Sequence, residues 1–123
     1  MYQFNLGEKE DLKGKMCSAI IHACDLYTPT FNFELSEEWA KKINYEFSKQ
    51  AREEEIMGLE VTPFMQGLEN PKIMANSEIQ FINVIVKPLW ELMNKFSKGY
   101  FSTPLTNCEN NKKKWEEKLE QMD

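Results

Sequence analysis

Histidine is almost missing from this 123-residue chain: His22 stands alone. A nucleophilic hydrolase needs a base held by a third group, and no nucleophile motif accompanies His22. Glycine is sparse, at five residues, and no glycine-rich phosphate loop occurs. The three cysteines, Cys17, Cys24 and Cys108, make no C-x-x-C spacing. That pattern excludes a disulfide framework and fits a reducing compartment. No apolar run approaches the ~18 residues of a membrane span. Met1 to Asp11 lacks a basic stretch followed by an apolar one, so a secretory signal is not expected. Positive charge is short as well, with one arginine, Arg52, and a net charge of −5. No nucleic-acid partner and no membrane partner is expected on that balance. The corresponding expectation is an intracellular protein, cytoplasmic or cytoskeletal.

Apolar residues make up 41% of the chain and include eight Phe, four Tyr and three Trp. That is ample for a core, and a domain this long buries roughly two-thirds of its unfolded surface. Leu12, Met16, Ala19, Ile20 and Ala23 recur at helical spacing, which predicts a helix from Glu8 to Leu26. Tyr27-Thr28-Pro29 should end it. Ser36, followed by Glu37 and Glu38, predicts the start of a second helix. Trp39, Ile43, Phe47 and Ala51 line one face of it, and Gly58 stops it. Leu59 to Gly67 reads as an extended loop and Asn70-Pro71 as a turn. A third helix is expected from Asn76 to Ser97, apolar nearly all round and therefore central, with a kink at Pro88. Gly99 closes it. No strand alternation or internal repeat is found, so the fold class is all-α. It comprises three main helices and a helical tail, with residues 4–97 as the domain and 98–123 as a polar linker and amphipathic tail.

Cys17, His22, Cys24 and Asp25 carry zinc-ligand chemistry. At about 100° per residue, positions 17 and 24 share a helix face while 22 lies well round it. The spacing favours reading both cysteines as small core residues.

Four motifs carry a resemblance. His22, Asp25, Leu26 and Pro29 form an H-x-x-D-L-x-x-P segment. Trp39, Ile43, Glu46-Phe47 and Gln50 follow a W-x3-I-x2-EF-x2-Q pattern. Gly58, Val61 and Pro63-Phe64-Met65 give G-x-x-V-x-P-F-M. Phe81-Ile82 and then Ile85-Val86-Lys87-Pro88-Leu89-Trp90-Glu91 complete the set. In order and at compatible spacings, from about Phe4 to Phe96, these resemble the C-terminal part of the cyclic nucleotide phosphodiesterase catalytic domain. The resemblance implies an all-α fold and two-metal hydrolysis of a cyclic phosphodiester. In the family, histidines and aspartates hold a zinc and a magnesium around a bridging hydroxide. Only the last metal-binding aspartate has a counterpart here, Asp25, and one carboxylate cannot supply the four ligands zinc takes. The other reading of Asp25 is a carboxylate capping the turn at Thr28. No cofactor is therefore expected in this chain alone; zinc and magnesium are expected only if a missing half completes the site.

The resemblance also implies a base pocket. A family glutamine, three residues before a phenylalanine, bonds the purine edge, and that phenylalanine and an isoleucine sandwich the ring. Phe81 matches the phenylalanine and Ile43 the isoleucine, with Phe47 and Phe64 expected beside them. The glutamine position is Glu78. An amide donates and accepts, whereas an ionised carboxylate only accepts. Gln80 is expected to point elsewhere, two residues round the helix. Ordinary core packing is the competing reading of these apolar residues. A cyclic nucleotide is expected as ligand only if the site is completed.

These features leave two functional expectations. One is a degenerate or partial phosphodiesterase-like domain serving as a structural or interaction subunit of a larger assembly. The alternative is the C-terminal part of an active, metal-dependent enzyme completed by a segment outside this sequence. Protein partners are expected to dock on Leu12, Met16, Ile20 and Trp39. Trp115, Leu119 and Met122, at i, i+4, i+7, are expected to form a second docking surface on the tail.

Overall fold

The computed structural model describes residues 6–122. Met1 to Asn5, which include the start of the leader reading and the expected domain boundary at residue 4, lie outside the described residues. Helix α1 spans Leu6–Asp25 and α2 Phe33–Ile56. A single 3-10 turn, Thr28–Thr30, joins them, and another, Pro63–Met65, follows α2. Helix α3 spans Pro71–Phe81, passes through a π-turn at Ile82–Val86, and continues as α4, Lys87–Phe96. Helix α5 spans Ser102–Glu120. The described residues contain no strand, so the all-α expectation holds. None of their helices is long and apolar enough to cross a membrane.

Several boundaries differ from the sequence reading for local reasons. Helix α2 starts at Phe33 because the Asn32 side chain accepts the Leu35 N–H (3.1 Å). Asparagine caps as well as serine does, and Ser36 instead sits buried one turn inside. Asn70-Pro71 is not a free turn but the start of α3. Asn70 accepts the Lys72 N–H (2.9 Å), and Pro71 takes the first-turn position where its missing donor costs nothing. At Pro88 the helix shifts hydrogen-bond register rather than simply bending. Proline cannot donate to the carbonyl four residues back and crowds it. The π-turn just upstream, in which the Lys87 N–H reaches the Ile82 carbonyl, absorbs that conflict.

The core lies along one side of the α3–α4 helix. Ala75, Ile79, Ile82, Val86 and Trp90 are buried at spacings of three and four, packed against Cys108 and Trp115 of α5. The opposite side carries Val84, Ile85, Leu92 and Phe96, all exposed. The helix is therefore central on one face only, not all round. The Trp90 indole donates to the Leu26 carbonyl (3.0 Å), fixing the end of α1 to α4.

The tail expectation is corrected here. Trp115 is not a docking residue: it is 3% exposed, in the same core cluster as Ile79 and Val86. Its ring meets Phe33 edge-to-face at 5.4 Å. Leu119 packs half-buried on the same core, and of the trio only Met122 is exposed. Lys118 pairs with Glu37 (2.6 Å), Lys87 pairs with Glu109, and Phe33 covers the seam. Helix α5 thus packs on the same core as α3 and α4. The i, i+4, i+7 stripe faces inward because it had a core to meet within the chain. Cys17 and Cys24 are likewise not core residues; both are exposed, and only Cys108 is buried.

Candidate functional site

Helices α2 and α3 diverge around a cavity of about 580 Å³, within the range of ~300–1,000 Å³ usual for small-molecule sites. Ile43, Asn44 and Phe47 come from α2, and Ser77, Glu78 and Phe81 from α3. Phe64 enters from the second 3-10 turn, and Thr28 and Pro29 from the first. All five residues expected in the base pocket, Ile43, Phe47, Phe64, Glu78 and Phe81, line this one cavity. They are not simply core. Phe64 is 60% exposed and Ile43 37%. Phe47 and Phe64 meet edge-to-face at 5.5 Å, so the second 3-10 turn is held as a wall. Glu54 supports that turn from below by accepting the Thr62 N–H (3.0 Å).

Among the described residues, Glu78 is the only ionisable side chain lining the cavity. Its Oε1 accepts from the Asn44 amide (2.9 Å), which also donates to the Ala40 carbonyl (2.8 Å). Both N–H groups of that amide are thereby committed. Burial pushes the Glu78 carboxyl above its ordinary range, and the Asn44 hydrogen bond pulls the other way. Oε1 keeps one lone pair and Oε2 both, beside an apolar wall.

Asn44 was not singled out in the sequence. Its spacing of three to Phe47 and four to Ala40 puts it on the cavity face, so a signal existed. Gln80 is a correction: it too lines the cavity. The helix turn carries it off the Glu78 direction, but the side chain is long and the cavity wide.

Asp25 is the exposed last residue of α1, next to cavity-lining Leu26. It does not cap the Thr28 turn, which has no side-chain cap. His22 is exposed one turn earlier. Among the described residues no three His, Cys, Asp or Glu side chains gather as a metal would require. The donor set present does not fit a zinc centre, which takes four ligands.

This geometry agrees with what the chain is similar to. The family model described as 3'5'-cyclic nucleotide phosphodiesterase matches residues 2–108. A probable 3',5'-cyclic-AMP phosphodiesterase of Caenorhabditis elegans is 32% identical over 84 residues, covering 68% of this chain and 12% of that protein. A dual specificity calcium/calmodulin-dependent 3',5'-cyclic nucleotide phosphodiesterase 1B of Rattus norvegicus is 29% identical over 101 residues, covering 82% and 18%. The phosphodiesterase domain of the Salpingoeca rosetta rhodopsin phosphodiesterase superposes with a TM-score of 0.84 at 28% identity, covering 98% of this chain and 36% of that one. The chain belongs to the cyclic nucleotide phosphodiesterase family. It spans less than a fifth of the length of these curated relatives.

Proposed function

We propose that this chain is the base-binding part of a phosphodiesterase-type domain, hydrolytically inert by itself and working within a larger assembly. The observation that carries this reading is the union of Ile43, Phe47, Phe64, Glu78 and Phe81 around one cavity, in a chain whose described residues gather no metal-binding cluster. A planar ring fits between apolar walls, and one polar side chain orients it. The relatives act on cyclic nucleotides, which makes the base of a cyclic nucleotide the natural occupant. The chemistry of hydrolysis has no counterpart among the residues here. Zinc and magnesium enter only with ligands from outside this chain.

The expected result is no turnover of cAMP or cGMP by the purified chain with zinc, magnesium and manganese supplied. Turnover above background that vanishes in Asp25→Ala would falsify the inert reading. The second reading, part of an active enzyme, is favoured by one detail: Asp25 is exposed beside the cavity wall and takes no structural role among the described residues.

The assembly surface is the face of α1 with the start of α2. Leu12, Met16, Ile20 and Trp39 are all exposed, in keeping with a partner surface. Sedimentation of the purified chain should reveal self-association that Leu12→Lys with Ile20→Lys abolishes. A wild-type chain that stays monomeric at high concentration would remove this part of the proposal.

A further inference from the structure

We infer that Glu78 makes the cavity selective for a ring that presents two adjacent N–H donors, the guanine edge, over adenine. This inference rests on the base-binding reading above. The geometry is an acid set in an apolar wall with no lysine, arginine or histidine among the described residues lining the same space. Asn44 fixes the carboxyl group by one oxygen and has no N–H left for a ligand. In the ionised form the remaining lone pairs accept and do not donate.

Guanine offers N1–H and the N2 amino group side by side, a match for the two oxygens of one carboxylate. Such paired, charge-assisted bonds are the strong ones. Adenine offers one amino donor beside N1, a bare acceptor. Against Glu78 one contact forms and the other sets lone pair against lone pair. Ile43, Phe47 and Phe81 grip either ring by its faces and do not discriminate. Gln80 lines the cavity too, but its amide can turn to serve either base. Discrimination is left to Glu78.

Burial favours the neutral acid, while a ligand with two donors favours the ionised one. The test is therefore run at about pH 8, because alkaline pH favours the ionised form. Isothermal titration of the whole chain with cGMP and with cAMP is the measurement, on wild type and on Glu78→Gln. The expected result is cGMP binding about tenfold or more tighter than cAMP in wild type, a typical yield for one good paired contact to a base. In Glu78→Gln the ratio should fall to about threefold or less, because an amide can serve either edge. Wild type that binds cAMP as well as or better than cGMP overturns the inference and leaves the pocket reading standing. So does a cGMP preference that survives in Glu78→Gln, or binding that occurs only in the variant. If neither chain takes up either nucleotide at millimolar concentration, the base-binding reading itself is overturned and the inference falls with it.

Discussion

Replacing Trp115 with alanine is expected to remove about 3 kcal/mol of folding stability. Large-to-small changes of a buried aromatic cost roughly 3–5 kcal/mol, through lost burial and the cavity left behind. The lower end applies because the indole N–H is buried with no partner among the described residues, a penalty of about 1–3 kcal/mol that the wild type already carries. Domains of this size are stable by only about 5–15 kcal/mol, so the loss is a large share of the total. Phe33 would lose its ring partner at the same time. The measurement is the urea midpoint, with Met122→Ala as the exposed comparison, expected to shift stability by less than about 0.5 kcal/mol. Equal, small shifts in the two variants would contradict the placement of α5 in the core.

Asn111 should be nearly as sensitive. It is 1% exposed, and its amide donates to the Pro29 carbonyl (2.7 Å) and the Phe31 carbonyl (2.8 Å). Asn107 donates to the Thr30 carbonyl (3.0 Å) between them. Helix α5 thus supplies the donors for three successive carbonyls of the turn that follows α1. Alanine at 111 would leave two of them without this donor, a cost of about 2–4 kcal/mol. Aspartate should be worse at neutral pH, since a carboxylate can only accept and would face two carbonyl oxygens. Lowering the pH should recover part of that loss as the introduced acid takes a proton and becomes a donor. Thermal denaturation of both variants at two pH values checks the order. An aspartate variant as stable as the alanine one at neutral pH would contradict the donor role. Thr28 and Pro29 line the cavity, so both variants should weaken ligand binding as well.

What the sequence made legible, and what it hid, follows from how local each signal was. The helices were readable because their apolar spacing is a local property. So were the cavity residues, which lie in contiguous motifs whose order survives. The start of α2 is ambiguous locally because two good caps, Asn32 and Ser36, lie four residues apart; the chain uses Asn32, and Phe33 then packs on Trp115. Trp115, Leu119 and Met122 were assigned outward because their spacing is the same for a docking helix and for one folded onto its own chain. No local pattern separates those cases. The Asn111 contacts span about eighty residues of sequence, so nothing near either end announces them. Asn44 could have been found by its spacing but carries no motif of its own. The angle along the helix does not by itself reveal that Gln80 lines the cavity.

The π-turn at Ile82–Val86 separates two jobs within one long helix. Before it Glu78 and Phe81, and within it Val84 and Ile85, line the cavity; after it, Trp90 ties α4 to Leu26. Removing one residue between them would leave a helix intact while rotating everything downstream by about 100° relative to everything upstream. Trp90 would leave the Leu26 carbonyl, or Phe81 would leave the cavity; both could not stay. The segment is therefore constrained in length more tightly than in composition. Val84 and Ile85, which line the cavity, can change among apolar residues of similar size, while a single-codon deletion there would dismantle either the site or the core.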